Sequence, residues 1–173
     1  MMKRIYETMH INDECYTPDY AVLPLLPYLE QFKGKTIWCP FDTADSEYVK
    51  ILTAHGHKVV FQHKDTGNNF YDAGDGLFAT ELPDFAVLVS NPPFHNKAKL
   101  VERVLALGKP FALLLPMTWL NDSAPYRLFH DKELQLLLFD RRVQFKNCGK
   151  QPSFGVGYYC CGVLPKQIVM CKL

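Results

Sequence analysis

An apolar run that stops on two consecutive prolines leaves a chain few options. Residues 85–90, Phe85-Ala86-Val87-Leu88-Val89-Ser90, are followed without a gap by Asn91-Pro92-Pro93-Phe94. A short continuous apolar run bounded by breakers reads as a buried strand. Neither proline can donate a ladder hydrogen bond or extend a helix, so the strand ends at Ser90 and the chain turns there. An amide side chain, a carbonyl that no helix can claim and an aromatic ring are thereby set around one small volume.

The rest of the chain alternates helix and strand. Residues 36–39 read as a short strand, 46–55 as a helix stopped by Gly56, and 58–62 as a second strand. Residues 65–84 are rich in Gly, Asn and Asp and read mostly as loop. After the strand at 85–90 come a helix over 97–107 ended by Gly108, a strand over 110–115, a helix over 119–130 broken near Pro125, and a strand over 134–139. Residues 156–164 and 167–171 close the chain as two strands joined around Pro165-Lys166. Upstream, residues 19–32 have helical spacing. Thr17 is the expected N-cap, Pro18 takes the first helical position, and Pro24 and Pro27 are expected to split or kink the helix.

Strands separated by helices predict an α/β fold. Its central sheet is mostly parallel, with helices on both faces and an antiparallel C-terminal hairpin at one edge. Ligands in such sheets gather at the carboxyl ends of the strands, near the point where strand order reverses. Pro40-Phe41-Asp42, Asn91 and Pro116-Met117-Thr118 all fall on that rim.

The length of 173 residues predicts one domain, 1–173. A formal net charge of +1 means that any nucleic-acid surface is a local patch. The one local basic cluster is Arg141, Arg142, Lys146 and Lys150, interleaved with Phe145. These residues are expected to contact phosphates, with Arg127 and Lys132 extending the patch. His95 and Lys97 are expected either to touch the substrate backbone or simply to start the following helix. The six cysteines, Cys15, Cys39, Cys148, Cys160, Cys161 and Cys171, contain no C-x-x-C pair. They are expected to be reduced, mostly buried thiols of a cytoplasmic protein, with no metal site. Met1-Met2-Lys3-Arg4 leads into a polar segment rather than a signal peptide. No apolar run approaches the roughly 20 residues of a membrane span.

The volume at Asn91 suits a planar amine. The amino group of a nucleobase is a weak nucleophile, because its lone pair is delocalised into the ring. Two acceptors on its two N–H bonds pull it towards tetrahedral geometry and stabilise the charge that grows on nitrogen. The Asn91 side-chain oxygen and the Pro92 carbonyl can be those acceptors, and Phe94 can stack on the base. Positioning does the rest. A base in a duplex would have to be flipped out first.

With these residues in view, the chain resembles the S-adenosylmethionine-dependent amino-methyltransferases, whose [DNS]-P-P-[YFW] motif matches Asn91-Pro92-Pro93-Phe94. It looks most like the small phage-type, Dam-like DNA N6-adenine methyltransferases, and the resemblance covers most of the chain. It implies a Rossmann-like methyltransferase fold, S-adenosylmethionine as cofactor and adenine in DNA as substrate. Tyr16-Thr17-Pro18 is similar to the family's segment that holds the methionine end of the cofactor. Pro40-Phe41-Asp42, with Ser46 opening the next helix, falls where the first cofactor motif belongs, and Asp42 becomes the candidate for the cofactor's amino group. Gly67-Asn68-Asn69-Phe70 resembles the segment beside the cofactor's adenine. Asp65 is the candidate for its ribose, with a solvated loop acid as the equal alternative. Phe154-Gly155-Val156-Gly157-Tyr158-Tyr159 resembles the late aromatic strand that flanks the target base, which implicates Tyr158.

The chain departs from the family in three places. Residues 40–45 contain no glycine, Asn69 replaces an acid, and no separate target-recognition domain fits in the length. N2-guanine methylation of RNA, methylation of a protein glutamine, and a degenerate binding subunit stay open beside the DNA reading. A homodimer or a recognition partner is compatible with all of them.

Overall fold

The structure is a computed structural model and describes residues 15–63, 70 and 82–173. Within these, β1 (Thr36–Cys39), β2 (Lys58–Phe61), β3 (Val87–Ser90), β4 (Phe111–Pro116), β5 (Gln135–Phe139), β6 (Val156–Cys161) and β7 (Ile168–Cys171) form one sheet. Its strand order is β2-β1-β3-β4-β6-β5-β7. β1 runs parallel to β2 and β3, β3 parallel to β4, and β5 parallel to β7. β6 lies antiparallel between β4 and β5. The expected α/β architecture is present.

Successive strand residues point to opposite faces, and this chain buries both. Ile37, Cys39, Val87, Val89, Ala112 and Leu114 join one apolar layer with Ala21, Leu25, Leu29 and Leu52. Trp38, Leu88, Phe111, Leu113 and Leu115 join the other with Leu100, Val101, Val104 and Leu128. The first layer is covered by α1 (Asp19–Val22), α2 (Leu26–Leu29) and α3 (Glu47–Ala54). The second is covered by α4 (Lys97–Ala106) and α5 (Ser123–Phe129). All six residues of β4 are buried, which explains its lack of alternation: a strand covered on both faces needs no polar side.

Local chemistry fixes most element ends. Ser46 caps α3 by accepting from the Tyr48 amide at 3.2 Å. α3 ends at His55, and Gly56 follows with φ +81°, a conformation glycine adopts without a Cβ penalty. Pro24 and Pro27 do split the segment 19–32: two four-residue α-turns alternate with 3-10 turns at Leu23–Leu25 and Glu30–Phe32.

Four expectations are corrected. Thr17 is not the N-cap; Pro18 holds that position with extended backbone, and Thr17 is buried. The break in 119–130 falls at Asp122, whose ψ of 163° separates a 3-10 turn (Met117–Asn121) from α5. Pro125 instead sits in the first turn of α5, where its missing N–H costs nothing. The antiparallel C-terminal element is present, but its two strands do not pair with each other. Gln135 explains the detour. Its amide accepts from the backbone of Val163 and Leu164 at 3.0 Å and donates to Leu164 at 2.6 Å. These bonds lead the chain past the start of β5, and β7 pairs on the far side. Finally, Cys15 and Cys148 are not free thiols; they form a disulfide. Tyr16 and Lys146 exchange backbone hydrogen bonds of 2.9 and 2.8 Å, which brings the two cysteines together. Cys39, Cys160, Cys161 and Cys171 remain free, the first two buried.

Candidate active site

The carboxyl ends of β1, β3, β4 and β5 fall on one rim, and β6 begins there. Pro40-Phe41-Asp42, Asn91-Pro92-Pro93-Phe94, Met117 and Arg141-Arg142 therefore leave the sheet on the same side. Met117 donates its amide to the Gly155 carbonyl at 2.9 Å, which joins the end of β4 to the approach of β6. Gly157 permits that closeness. A Cβ at this position would meet the Met117 sulfur at 2.8 Å and the Leu137 carbonyl at 2.9 Å.

Asp42 is the buried carboxylate of the rim. Its backbone is held by the Gln62 carbonyl at 2.9 Å, and Gln62 in turn accepts from the Trp38 indole at 3.1 Å. Ser46 donates to one carboxylate oxygen and Ser90 to the other, each at 2.5 Å. Burial pushes the carboxyl up to about 6, against the opposing pull of the two serine hydroxyls and of His63. Each oxygen accepts one hydroxyl, so Asp42 braces β1, α3 and β3 together. Ser90 was not singled out in the sequence; a hydroxyl closing an otherwise apolar strand was the available signal.

Asn91 follows Ser90 directly. Its side-chain oxygen is buried and makes no hydrogen bond among the described residues. Buried acceptors are almost always satisfied, and leaving one unpaired costs about 1–3 kcal/mol. Pro92 beside it is buried and Pro93 half-buried. Phe94 is half-buried, with its ring edge-on to Phe154 at 5.9 Å and to Phe145 at 6.5 Å. Lys97 donates its ammonium to the Phe94 carbonyl at 3.0 Å. Burial lowers the Lys97 pKa, against Asp122, which raises it. Lys97 is also the first residue of α4, and its ammonium holds the motif's loop. His95 is exposed at the same turn.

On the cofactor side, Pro40 is buried and Phe41 half-buried. Phe41 packs on Phe70 at 4.9 Å, and Phe70 packs on Trp38 at 5.8 Å. Asp65 and Asn69 lie outside the described residues. Tyr16 is 42% exposed, whereas Thr17 and Pro18 are buried beneath it.

The expected nucleic-acid residues divide. Tyr158 is fully buried; its hydroxyl meets that of Tyr48 at 2.8 Å and donates to Ala21 at 2.9 Å. It points into the layer under α1 and α3, so a base-flanking role is corrected to a core one. Phe154, at the mouth of β6, is the aromatic that reaches the motif. Lys146 is paired with Glu47 at 3.2 Å and Asp19 at 3.7 Å. Arg127 pairs with Glu102 and Lys132 with Asp131. Arg141 donates to the Leu173 carbonyl at 2.6 Å. Arg142 and Lys150 are exposed.

No protein-family model matches the chain, and no curated protein matches it in sequence. Solved structures resemble it in fold. One is described as a modification subunit of a type I restriction enzyme from Vibrio vulnificus YJ016. It aligns with a TM-score of 0.50 at 13% identity, over 92% of this chain and 46% of its own. Another, described as a class I S-adenosylmethionine-dependent methyltransferase from Listeria monocytogenes, gives 0.50 at 12% identity, over 99% and 69%. A protein-(glutamine-N5) methyltransferase from Alicyclobacillus acidocaldarius reaches 0.37 at 15% identity, over 83% and 92%, which is too low to carry an argument. The fold is the Rossmann-like fold of class I methyltransferases. This chain spans less than half the length of the restriction-enzyme subunit.

Proposed function

We propose that this protein is an S-adenosylmethionine-dependent methyltransferase acting on the exocyclic N6 amine of adenine in DNA. The observation that carries this reading is the buried, unpartnered side-chain oxygen of Asn91 at the carboxyl end of β3. An acceptor stripped of water and held ready for a donor is electrostatic preorganisation. It matches what a weakly nucleophilic amine requires: one N–H to Asn91, the other to the Pro92 carbonyl, and the base against Phe94. S-adenosylmethionine, when bound, supplies an electrophilic methyl group. Tyr16, Phe41, Ser46 and Phe70, with Asp65 and Asn69, are the residues proposed to hold it. No strong base is needed before attack, since the proton can leave the methylated amine afterwards.

The likeness to a restriction-enzyme modification subunit supports a nucleic-acid substrate, and with it a partner that supplies sequence recognition. Tritiated-methyl transfer to unmethylated DNA, to ribosomal RNA and to peptides ranks the substrates. Incorporation into RNA or peptide alone would overturn the DNA assignment.

One observation favours a second reading. Residues 40–45 contain no glycine. A degenerate subunit that binds without transferring fits that fact. Calorimetry separates the two: the enzyme reading expects S-adenosylmethionine binding in the micromolar range, about −8 kcal/mol. Silence at millimolar cofactor selects the degenerate subunit.

A further inference from the structure

We propose that the open cleft between α1 and the loop after β5 binds one unpaired strand of nucleic acid, holding a phosphodiester and stacking a neighbouring base. The proposal rests on the nucleic-acid reading above and specifies the form of the substrate. Tyr20, Arg141, Arg142 and Gln144 line a cleft of about 550 Å³. That volume is on the scale of one nucleotide.

The chemistry of the lining is mixed in the required way. Arg142 is exposed and has no hydrogen-bond or ion-pair partner among the described residues. Arg141 spends one N–H on the Leu173 carbonyl, which fixes its guanidinium and leaves its other donors. Asp19 and Glu47 are paired with Lys146, and Asp140 accepts from the Leu173 amide at 2.9 Å. Tyr20 supplies a half-buried ring. Its hydroxyl donates to the Gln144 carbonyl at 3.2 Å and accepts from the Gln144 amide at 2.9 Å. Aromatic stacking with phosphate-directed arginines is how unpaired strands are held without sequence preference.

The two walls are also fastened together. The Cys15–Cys148 disulfide, the Tyr16–Lys146 backbone pair, the Tyr20–Gln144 bonds and the Lys146–Asp19 ion pair all cross between residues 15–20 and 144–148. A cleft whose walls are cross-linked is set before its ligand arrives, which reduces the ordering cost of binding.

The test is fluorescence anisotropy with a labelled 20-mer, single-stranded and as a duplex, over a range of salt concentrations. AMP serves as competitor. The single strand is expected to bind more tightly than the duplex, and AMP to compete weakly. Arg142→Ala is expected to weaken the single strand roughly tenfold and to lower its salt slope by about 0.7, the loss of one phosphate contact. Arg142→Lys should keep the slope, and Tyr20→Leu should lose affinity at an unchanged slope. Circular dichroism verifies that each variant is folded. Wild-type affinity in Arg142→Ala and Tyr20→Leu overturns the cleft assignment, while methyl transfer to DNA by the wild type still stands. Equal affinity for the duplex overturns the unpaired-strand assignment. Complete displacement by AMP at its own low concentration makes this a mononucleotide site and overturns it as well. No binding of any nucleic acid overturns both this proposal and the DNA reading.

Discussion

Ser90 donates its hydroxyl proton to Asp42 across the boundary between β3 and β1. The last residue of the strand that presents Asn91 is thereby fastened to the loop that leaves the neighbouring strand. Ser46 secures the same carboxylate from the start of α3.

This brace has a pH signature. The Asp42 carboxyl is pushed up to about 6 from 3.8 by burial. Between these values the folded state holds a proton that the unfolded chain has released. Its contribution is fully present below pH 3.8, falls as pH rises, and is lost above about 6. The difference amounts to about 3 kcal/mol at 1.36 kcal/mol per unit. Asp42→Asn should therefore be relatively more stable than the wild type at pH 8 than at pH 4.5. Urea melts at the two pH values check this; an equal loss at both would mean that the charge is not the issue.

Asn91→Ala should abolish methyl transfer and leave cofactor binding within about threefold, well under the 1.4 kcal/mol of a tenfold change. It should not destabilise the protein, and should raise stability by up to about 1 kcal/mol, because it removes an unsatisfied buried acceptor. Thermal melts alongside transfer assays test both halves. A large loss of stability would give Asn91 a structural partner and remove its poised-acceptor role.

Phe94→Ala should cost about 2 kcal/mol, since it removes a half-buried ring from contact with Phe145 and Phe154. Phe94→Leu should recover much of that stability without recovering transfer, and Phe94→Tyr should recover both. Transfer by the leucine variant at the wild-type rate would rule out stacking on a base.

Cys148→Ser should destabilise the protein by up to about 5 kcal/mol, since the disulfide closes a sequence separation of 133 residues. Reductant should lower the melting temperature of the wild type and leave that of the variant unchanged. Mass spectrometry after alkylation in denaturant without reduction should find four modified cysteines in the wild type, the number left free. Six would mean that the pair is open.

Gly157→Ala should cost about 1–3 kcal/mol as an overpacking substitution. Leu137 presents backbone to the added methyl, and only the Met117 side chain can yield. Pairing with Met117→Ala should return part of the loss. A neutral single variant would show that the rim is looser than its distances.

What could be read beforehand was local. The apolar run at 85–90 and its prolines gave β3 and the position of Asn91, because strand length and breaker chemistry are local properties. The helix start at Ser46 and its stop at Gly56 were visible for the same reason. Thr17 was one residue off, because Pro18 can itself hold the extended backbone that a cap needs. Pro125 was misread as a break because proline is costly only beyond the first turn. The pairing of β7 was not local: it depends on the Gln135 side chain meeting Val163 and Leu164, some thirty residues away. The disulfide and the Ser90–Asp42 bond likewise join residues that no spacing rule relates. Tyr158 looked available because it lies in an aromatic run, but strand alternation sends it into the core while Phe154 stays at the mouth.

The placement of β6 has one more outcome, for the order of assembly. Among the described residues, β4 and β5 have no ladder to each other and meet only through β6. During synthesis, β1 to β4 can register as soon as they emerge, whereas β5 must wait for a strand encoded seventeen residues downstream of its own end. Three of the seven strands therefore enter the sheet together, with β6 as their keystone.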